Sequence, residues 1–423
     1  MKRVCCVVCV LVCAWAGAET LKAGGGKRWY KGQTHMHTLW SDGDAAPELA
    51  MKQYKEFGFN FVVMTDHNVL PTVEKWFPVD DPKLKRLTSE RLKGLQETFG
   101  AENVVVREVD GRREMRLKTV DELKAQFDEK EKFLICLGEE VTSRVHINGL
   151  NLRERIAPEM QSQSNAYVMK KVVEAVNAQS ARLRIPMLAH INHPNFSAGV
   201  TPGEFIEASV ARYFEIFNGH GSVYNWGNPE KWMETTDRIW DIVLAFRLPK
   251  NKEDILYGVG TDDSHDYYYR GPGESIPNRG YSMVLSKSLE ANALMEAILA
   301  GHFYATSGVM IEEIESTQKK LSLEMQEEAG VTYTTQFIGT RKGFDETSVP
   351  VLDADGKPVP SGARTYSKDI GVVLAETKEN PAVYKFTGDE IYVRARVISS
   401  RDKVDPFVVG DKEMAWVQPV VLK

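Results

Sequence analysis

The sequence predicts an α/β fold in which strands alternate with helices, followed by a smaller β-rich part. Three observations carry this prediction. Short apolar runs alternate with helical patterns from Tyr30 to Thr306, helix-length patterns become scarce after Gly308, and polar side chains gather where the apolar runs end. Strands that alternate with helices of about 10–15 residues form βαβ units and a parallel sheet, either open or closed into a barrel. Polar residues at the C-terminal ends of strands favour a barrel with its active face there.

The first 18 residues are predicted to be a secretory signal peptide. Lys2 and Arg3 precede an apolar run of about a dozen residues, and small residues ending at Ala18 offer a cleavage site. The run is too short to span a membrane, so the mature chain is predicted to be secreted or periplasmic without a transmembrane segment. A lipoprotein site at Cys13 is the weaker alternative, because Val12 stands where a small residue is expected.

Composition limits the function classes that fit the mature chain. The 423 residues suggest two or three domains, and the net charge of −6 becomes more negative once Lys2 and Arg3 are removed. An acidic chain argues against non-specific nucleic-acid binding. Only Cys136 lies outside the signal peptide, so no internal disulfide is possible and stability must come from the core and any bound metal. No pattern indicates an oligomeric state.

The secondary-structure elements of the N-terminal part follow from apolar periodicity. The predicted strands are Phe59–Thr65, Phe133–Val141, Pro186–Ile191, Arg212–Phe217, Ile255–Gly260 and His302–Thr306. The predicted helices are Pro47–Phe57, Pro82–Thr98, Ala166–Gln179, Pro229–Ala245 and Leu289–Ala300. A hairpin with its turn at Asp110-Gly111 interrupts this rhythm within residues 103–119, and its long charged side chains predict a solvated flap.

After Gly308 the patterns become those of an antiparallel β structure. The predicted strands are Leu321–Gln326, Thr332–Thr340, Ile370–Thr377, Ala382–Phe386, Ile391–Ser399 and Met414–Leu422. Only Ile311–Gln318 has a helix-length pattern, so residues 309–423 are predicted to form a small β-sandwich. Residues 19–308 are then the barrel domain, and the sandwich is expected to pack against it; a ligand-binding role is the alternative.

Candidate metal ligands stand at the strand ends. His35 and His37 lie two residues apart on an extended segment, so both imidazoles face the same side, and Asp42 follows as the chain turns. Imidazole and carboxylate together suit a divalent transition metal. The other strand ends carry further candidates: His67, Glu140, His146, His193, Asp263 and His265. Such clustering is poorly explained by unrelated core histidines.

Five motifs in a fixed order carry a family resemblance: His35-x-His37 with Ser41-Asp42-Gly43, Thr65-Asp66-His67, Gly138-x-Glu140, His193-Pro194 and Asp263-x-His265. In this order they resemble the PHP (polymerase and histidinol phosphatase) superfamily of metallohydrolases. Residues 214–219, 260–265, 301–306 and 415–419 resemble its exported, CehA/McbA-like branch. The resemblance is strong from Gly32 to Gly308 and weaker beyond. It implies a distorted (β/α)7 barrel with a C-terminal β-sandwich-like domain, holding two or three divalent ions of zinc, manganese or iron.

The resemblance also implies a division of the ligands among three metals. The implied ligands of the first metal are His35, His37, Glu140 and Asp263. Glu140 would also bind the second metal, whose other ligands would be His146 and His193. The third metal would be bound by Asp42, His67 and His265. Adjacent acids leave two choices, because strand alternation lets only one of each pair face inward. Family spacing favours Glu140 over Glu139, and the Asp-x-His pattern favours Asp263 over Asp262.

Several other residues have alternative interpretations. Asp66 is expected to orient a metal ligand from outside the coordination sphere. Arg270 and Arg279 follow Asp263-x-His265 in a Gly/Pro-rich loop, and each either contacts substrate phosphate or is a solvated loop residue. His190 is either a satisfied barrel histidine or a ligand. Two pairs complete the set: Glu215 and Asn218 are expected to brace the site, and His220 and His302 to lie at the surface or the pocket rim.

The expected activity is hydrolysis of a small phosphoester, mono- or diester, by a hydroxide that bridges two metals. Two metals that share a carboxylate make such a nucleophile at neutral pH, and a third neutralises charge on the phosphoryl group. One alternative is a metallohydrolase of carboxylic ester, amide or carbamate bonds, because the same nucleophile attacks a carbonyl. An alternative from another class is a non-catalytic protein that binds metal or sugar.

Overall fold

The computed structural model describes residues 19–158, 163–197 and 199–422. The predicted signal peptide, its cleavage site and Cys13 lie outside these residues. None of the described helices is both long enough and apolar enough to cross a bilayer. Cys136 is buried and free, and its thiol is surrounded by the apolar core of the sheet.

The described residues form strands and helices that alternate in the first three quarters of the chain. The strands are β1 (Glu19–Lys22), β2 (Arg28–Gln33), β3 (Phe61–Met64), β4 (Lys75–Pro78), β5 (Val106–Val109), β6 (Arg112–Leu117), β7 (Leu134–Thr142), β8 (His146–Leu150), β9 (Leu188–Ile191), β10 (Tyr213–Asn218), β11 (Tyr257–Thr261), β12 (Tyr281–Ser286), β13 (Phe303–Thr306), β14 (Ile311–Ser316), β15 (Lys320–Met325), β16 (Tyr333–Arg341), β17 (Ser348–Pro350), β18 (Arg364–Tyr366), β19 (Val372–Thr377), β20 (Ala382–Lys385), β21 (Glu390–Asp402) and β22 (Lys412–Val421). The helices are α1 (Pro47–Glu56), α2 (Ser89–Phe99), α3 (Val120–Phe127), α4 (Asn165–Leu183), α5 (Pro202–Glu207), α6 (Thr236–Arg247) and α7 (Ala291–Leu299).

One large sheet runs through most of the chain. Its strand order is β11-β10-β9-β8-β7-β3-β2-β12-β13-β22-β21-β16-β19. The pairs β2–β3, β3–β7, β9–β10 and β10–β11 are parallel, whereas β8 and β12 pair antiparallel with both neighbours. The chain is therefore a mixed α/β protein with a large sheet, as predicted in outline, but the sheet contains antiparallel pairs beside the predicted parallel ones. The short turn after β7 returns β8 as a hairpin, which only an antiparallel pair allows.

Strand β11, at one end of this order, lies against β12. The Gly260 amide donates to the Ser282 hydroxyl across 3.1 Å, and Met36 forms an isolated bridge with Ser264. Gly260 has no space for a side chain, since a Cβ there would come within 2.6 Å of the Tyr281 carbonyl oxygen. Within the described ranges no continuous ladder joins the two ends of the sheet, so closure into a (β/α)7 barrel stays a prediction.

The predicted hairpin is present and belongs to a small sheet of three strands, in the order β4-β6-β5. Its turn residues Asp110 and Gly111 both have positive φ, 51° and 71°, as a tight two-residue hairpin turn requires. Met115 and Leu117 of β6 are fully buried. One face of the hairpin therefore packs against the body of the protein, while the charged face is solvated as expected.

The C-terminal strands continue the large sheet instead of standing apart from it. Strand β22 pairs antiparallel with β13, so the ladder crosses the predicted boundary at Gly308. A second sheet, β1-β14-β15-β20, packs on this region and shares its apolar core. The helix predicted at Ile311–Gln318 is wrong, because those residues form β14. A bulge between Ile311 and Glu313 shifts the buried positions to 311, 314 and 316, and this spacing imitates a helix.

A buried ionic cluster joins α6 to the C-terminal strand β21. The Arg394 guanidinium contacts Asp241 at 2.6 Å and Asp237 at 2.8 Å, and all three side chains are almost fully buried. Asp241 also accepts a hydrogen bond from the Tyr392 hydroxyl at 2.8 Å, and Asp237 accepts one from the Trp416 indole at 3.2 Å. Each buried charge is thus paired, as burial in a low-dielectric interior requires.

The substitution Arg394→Met is expected to reduce the free energy of unfolding by about 3–5 kcal/mol. It would leave the buried Asp241 carboxylate without its cation and Asp237 with Arg396 alone, at 3.1 Å, and removing one partner of a buried pair typically has this cost. Urea unfolding of the purified chain measures the effect. Arg341→Met is the matched control, because Arg341 pairs with Asp389 at 2.6 Å on the exposed surface and should contribute about 0–1 kcal/mol. Equal losses in the two variants would contradict this account of the cluster.

Glu390 at the start of β21 is expected to make stability fall in acid. Burial opposes ionisation, but the amides of Thr387 and Gly388 and the Tyr384 hydroxyl donate to its carboxylate and lower its pKa to about 2. A depressed folded-state pKa gives stability that is present above the unfolded value and is lost as the pH falls through the folded value. Unfolding of Glu390→Gln should therefore depend less on pH between about 4.5 and 2 than unfolding of the wild type. An exposed-site variant, Glu379→Gln, should retain the wild-type slope.

Candidate metal centre

The strand ends converge on one buried cluster of imidazoles and carboxylates. His35 and His37 follow β2, His67 follows β3, His193 follows β9, and Asp263 follows β11. The remaining predicted ligands also lie at this edge of the sheet: Asp42, Glu140, His146 and His265. Because the strand ends share one edge, residues separated by more than 200 positions in the chain come into contact.

Glu140 occupies the centre of the cluster and is fully buried. One carboxylate oxygen lies 2.7 Å from His67 Nδ1 and 3.3 Å from His37 Nε2. The other lies 3.0 Å from His146 Nδ1 and 3.5 Å from both His35 Nε2 and His193 Nε2. One carboxylate therefore contacts five imidazoles.

Two further groups of ligand atoms surround this centre. In the first, the Nε2 atoms of His35 and His37 lie 3.1 Å apart, and an oxygen of Asp263 lies 3.1 Å from one and 3.2 Å from the other. In the second, the Asp42 carboxylate lies 3.3 Å from His265 Nε2 and 3.4 Å from His67 Nε2. Each group offers at least three atoms that can bind one metal ion.

The observed groups overlap more than the predicted division. The atoms of His37 lie within reach of both Asp263 and Asp42, and His67 lies near both Glu140 and Asp42. His193 approaches Glu140 at 3.5 Å and Asp263 at 4.0 Å. All nine predicted ligands are brought together, and their division among three metals stays a prediction.

Hydrogen bonds at the outer nitrogens fit these histidines as metal ligands. His35 Nδ1 donates to Glu215 at 2.6 Å, and His265 Nδ1 donates to the Asp263 carbonyl at 2.9 Å. His37 Nδ1 lies 3.2 Å from Ser41 Oγ, whose own proton goes to Asp66. In each case the proton on Nδ1 leaves the Nε2 lone pair facing the cluster. This tautomer, held by an oxygen behind the ring, is the usual arrangement of a metal-ligating histidine.

Two buried carboxylate oxygens of the cluster lack an aligned hydrogen-bond donor: one on Asp42 and one on Glu140. Burial disfavours a charged His67, but the Glu140 and Asp42 carboxylates outweigh burial and raise its pKa to about 10. Burial likewise disfavours charge on Glu140 and Asp263, but the surrounding imidazoles lower both pKa values. The carboxylates thus favour positive charge at the histidines, and divalent cations supply positive charge at the same positions.

Glu215 holds one side of the cluster in place. Besides His35 it accepts from the His193 backbone amide at 2.6 Å, the Asn218 side chain at 2.7 Å and the Thr261 hydroxyl at 2.8 Å. The Asn218 amide also donates to Asp263 across 3.1 Å. All of these side chains are buried, so Glu215 and Asn218 brace the ligands, which is the role expected from the sequence.

Asp66 orders the loop that carries Asp42. Its carboxylate accepts hydrogen bonds from the Thr38 amide at 2.8 Å and from Ser41 Oγ at 2.8 Å. Ser41 in turn contacts His37 Nδ1. Asp66 therefore acts on a ligand through another side chain, which is the orienting role that the sequence predicts.

The adjacent acids separate as strand alternation requires. Glu140 faces the cluster, whereas Glu139 accepts from the Ile156 amide on the other side of the strand. Asp263 contacts the imidazoles, whereas Asp262 accepts from the backbone amides of Arg279 and Gly280 at 2.6 and 2.8 Å. His190 is fully buried, and its Nε2 lies 3.4 Å from the Thr34 carbonyl, outside the three groups of ligand atoms.

Arg270 and Arg279, each predicted either to contact substrate phosphate or to be a solvated loop residue, have partners elsewhere in the structure. The Arg279 side chain is fully buried and donates to the carbonyls of Gly219 at 2.8 Å and Gly271 at 2.6 Å. The Arg270 guanidinium pairs with Asp405 and donates to the Pro277 carbonyl at 3.3 Å. Both arginines therefore stabilise loops, because backbone carbonyls and a C-terminal acid engage them away from the ligand atoms.

Sequence reasoning missed several neutral residues that position ligands. Asn192 donates to Glu140 at 2.8 Å and to Asn148 at 2.9 Å. The Thr142 hydroxyl lies 2.5 Å from His67 Nδ1, and it donates its proton to the Glu140 carbonyl at 3.2 Å. The only signal for Asn192 was its place between His190 and His193 at a strand end.

Comparison with known proteins leaves the family of this chain open. No family model matches the chain, and no curated protein matches it. A solved structure from Bacteroides vulgatus, described as a two-domain protein containing a predicted PHP-like metal-dependent phosphoesterase, is 16% identical with a TM-score of 0.40, covering 94% of this chain and 96% of that one. A second, described as a candidate metal-dependent phosphoesterase from Bifidobacterium adolescentis, is 10% identical with a TM-score of 0.28, covering 55% and 87%. These values are too low to assign a family or an activity.

Metal binding is expected to depend on Glu140 and not on its neighbour. Glu140→Gln should weaken metal binding by more than about 100-fold, because loss of a single outer-shell partner already costs about 10–100-fold. Metal content after dialysis against a buffered metal supply, measured by plasma emission spectrometry, checks this. Glu139→Gln is the matched control, since it makes the same change on the opposite face of β7. Equal metal loss in both variants would show that the substitutions disturb strand β7, and that loss of the Glu140 carboxylate is not the cause.

Proposed function

We propose that this chain is an exported, metal-dependent phosphoesterase of the PHP superfamily. The observation that carries the proposal is the convergence of nine predicted ligands around the single buried carboxylate of Glu140. The order of the motifs in the sequence supports the family, and the leader-like residues 1–18 support export. The exported CehA/McbA-like branch is part of the proposal and rests on the sequence phrases alone.

Two or three divalent ions, zinc, manganese or iron, would be held by the cluster. Asp263 with His35 and His37 would hold one ion, and the carboxylate of Glu140 would be shared with a second near His146 and His193. Asp42, His67 and His265 would hold a third. When bound, such ions lower the pKa of water to near neutrality and accept the negative charge of phosphoryl oxygens.

The burial of the ligands indicates the side from which substrate enters. The side chains of His35, His37 and Glu140 are 0% exposed, whereas Asp42 is 40% exposed and His67 is 23% exposed. His146 and His265 are intermediate, at 22% and 18%. The more exposed residues form the mouth of the site, so a small phosphoester would meet Asp42, His67, His146 and His265 first.

The residues of the chain have separate tasks in this proposal. Glu215 holds His35 and His193 so that their inner nitrogens stay in place. Asp66 and Ser41 hold the loop of Asp42 and the ring of His37. His35, His37 and Glu140 are buried away from bulk water, and the exclusion of water strengthens the electrostatic stabilisation of a charged transition state.

Activity assays on the metal-loaded mature chain test the proposal. With manganese, zinc or iron supplied, we expect hydrolysis of an aryl phosphomonoester or phosphodiester, and a loss of about 100-fold or more in His37→Ala and Asp263→Ala because the inner ligands are removed. His302→Ala is the matched control, because His302 pairs with Glu19 at 2.5 Å, away from the cluster.

Three outcomes would overturn the assignment. Phosphoester turnover that survives His37→Ala and Asp263→Ala would place the reaction elsewhere. Turnover of carboxylic esters, amides or carbamates without phosphoester turnover would favour a hydrolase of those bonds. Bound metal without hydrolysis of any of these substrates would favour a metal- or sugar-binding protein.

A further inference from the structure

His220 stands beside the candidate metal centre although it is not among its ligand atoms. It follows β10 in the loop Gly219-His220-Gly221. Its ring meets the His265 ring edge to face, with centroids 5.2 Å apart, and the Phe196 ring at 5.9 Å. Phe196 also contacts the ring of His193 at 5.0 Å. His220 therefore lies at the mouth of the site, between the ligands of the predicted second and third metals.

The loop that carries His220 is held on both sides. The His220 amide donates to Asn218 Oδ1 at 2.8 Å, and the Asn218 side chain is bonded to Glu215 and Asp263. A Cβ on Gly219 would come within 2.8 Å of Arg279 Cβ, and one on Gly221 within 2.5 Å of the Gly273 carbonyl oxygen. These close approaches require glycine at positions 219 and 221. The His220 imidazole therefore extends from a tightly packed segment.

Arg279 completes the support of this loop. Its guanidinium donates to the Gly219 carbonyl at 2.8 Å and to the Gly271 carbonyl at 2.6 Å. Arg279, for which the sequence left contact with substrate phosphate as one of two alternatives, thus supports the residue before His220.

The hydrogen bond at Nδ1 determines the tautomer of His220. The Ser222 backbone amide donates to His220 Nδ1 across 3.1 Å, so Nδ1 carries a lone pair and the proton lies on Nε2. Among the described residues, no acceptor is hydrogen-bonded to this Nε2–H group. A protonated Nε2 has no lone pair for a metal, which separates His220 from His35, His37 and His265, whose Nδ1 atoms have hydrogen-bond partners behind the ring and whose Nε2 atoms face the cluster.

We propose that His220 donates its Nε2–H as a hydrogen bond to an anionic phosphoryl oxygen of the substrate. This inference rests on the proposed function and names one of its substrate-binding residues. The group that the donor fits is a phosphoryl oxygen not held by metal, because such an oxygen carries negative charge and lies at the mouth of the site. Hydrogen bonds to charged groups are the stronger kind, and the rigid loop means that little order must be gained on binding.

Two substitutions separate the donor from the ring. His220→Phe keeps an aromatic ring between Phe196 and His265 but removes the N–H, whereas His220→Gln places an amide N–H at a similar reach. We expect the Phe variant to lose about 100-fold in kcat/KM with an aryl phosphate, the usual effect of removing one donor to a developing oxyanion. The Gln variant should recover most of this loss. Metal content should be unchanged in both variants.

Binding of inorganic phosphate to the metal-loaded chain, measured by calorimetry, tests the inference without turnover. The Kd for phosphate should rise about tenfold or more in His220→Phe and should stay near the wild-type value in His220→Gln. Equal effects of the two variants, or loss of metal in the Phe variant, would overturn the role of His220. Absence of phosphoester turnover in the wild type would instead overturn the proposed function, and the phosphate-binding comparison would still decide whether His220 is a phosphate donor.

Discussion

The structure depends on keeping a buried carboxylate, Glu140, surrounded by imidazoles. Burying a charge is costly unless it is paired, and imidazole lone pairs that face a carboxylate repel it unless a cation lies between them. Divalent cations between the imidazoles and Glu140 would satisfy both requirements. The network behind the ligands follows from this arrangement, because Glu215 and Asp66 hold the outer nitrogens so that the inner nitrogens face Glu140.

The fold supplies the rigidity that this cluster needs. The large sheet continues from the N-terminal strands into the C-terminal strands, and the Arg394 cluster joins α6 to β21. The C-terminal part also reaches the loops near the site. The Asp405 carbonyl accepts from Arg279 at 3.3 Å, and the Asp405 carboxylate pairs with Arg270. Residues more than 120 positions later in the chain therefore stabilise the loops that carry His220 and His265.

Local patterns predicted much of the fold and failed where a pattern was ambiguous. Six N-terminal strands and the Asp110-Gly111 turn lie where apolar runs and turn chemistry placed them. Strand β14 was assigned to a helix because a bulge changes the spacing of its buried residues. Helix α3 was not recognised, although Thr119 and Glu122 form a capping box at its start. Strands β8 and β12 were not predicted, so the antiparallel pairs that they form with their neighbours were not anticipated.

The sequence by itself determined which residue types stand at the strand ends and in what order, and alternation along a strand separated Glu140 from Glu139. Tertiary structure decided which groups meet. It placed the Arg279 guanidinium against the Gly219 carbonyl, made Asn192 a partner of Glu140, and set the proton of His220 on Nε2. The physical reason is that periodicity is a local property, whereas a hydrogen-bond partner is chosen by the packing of segments that lie far apart in the chain.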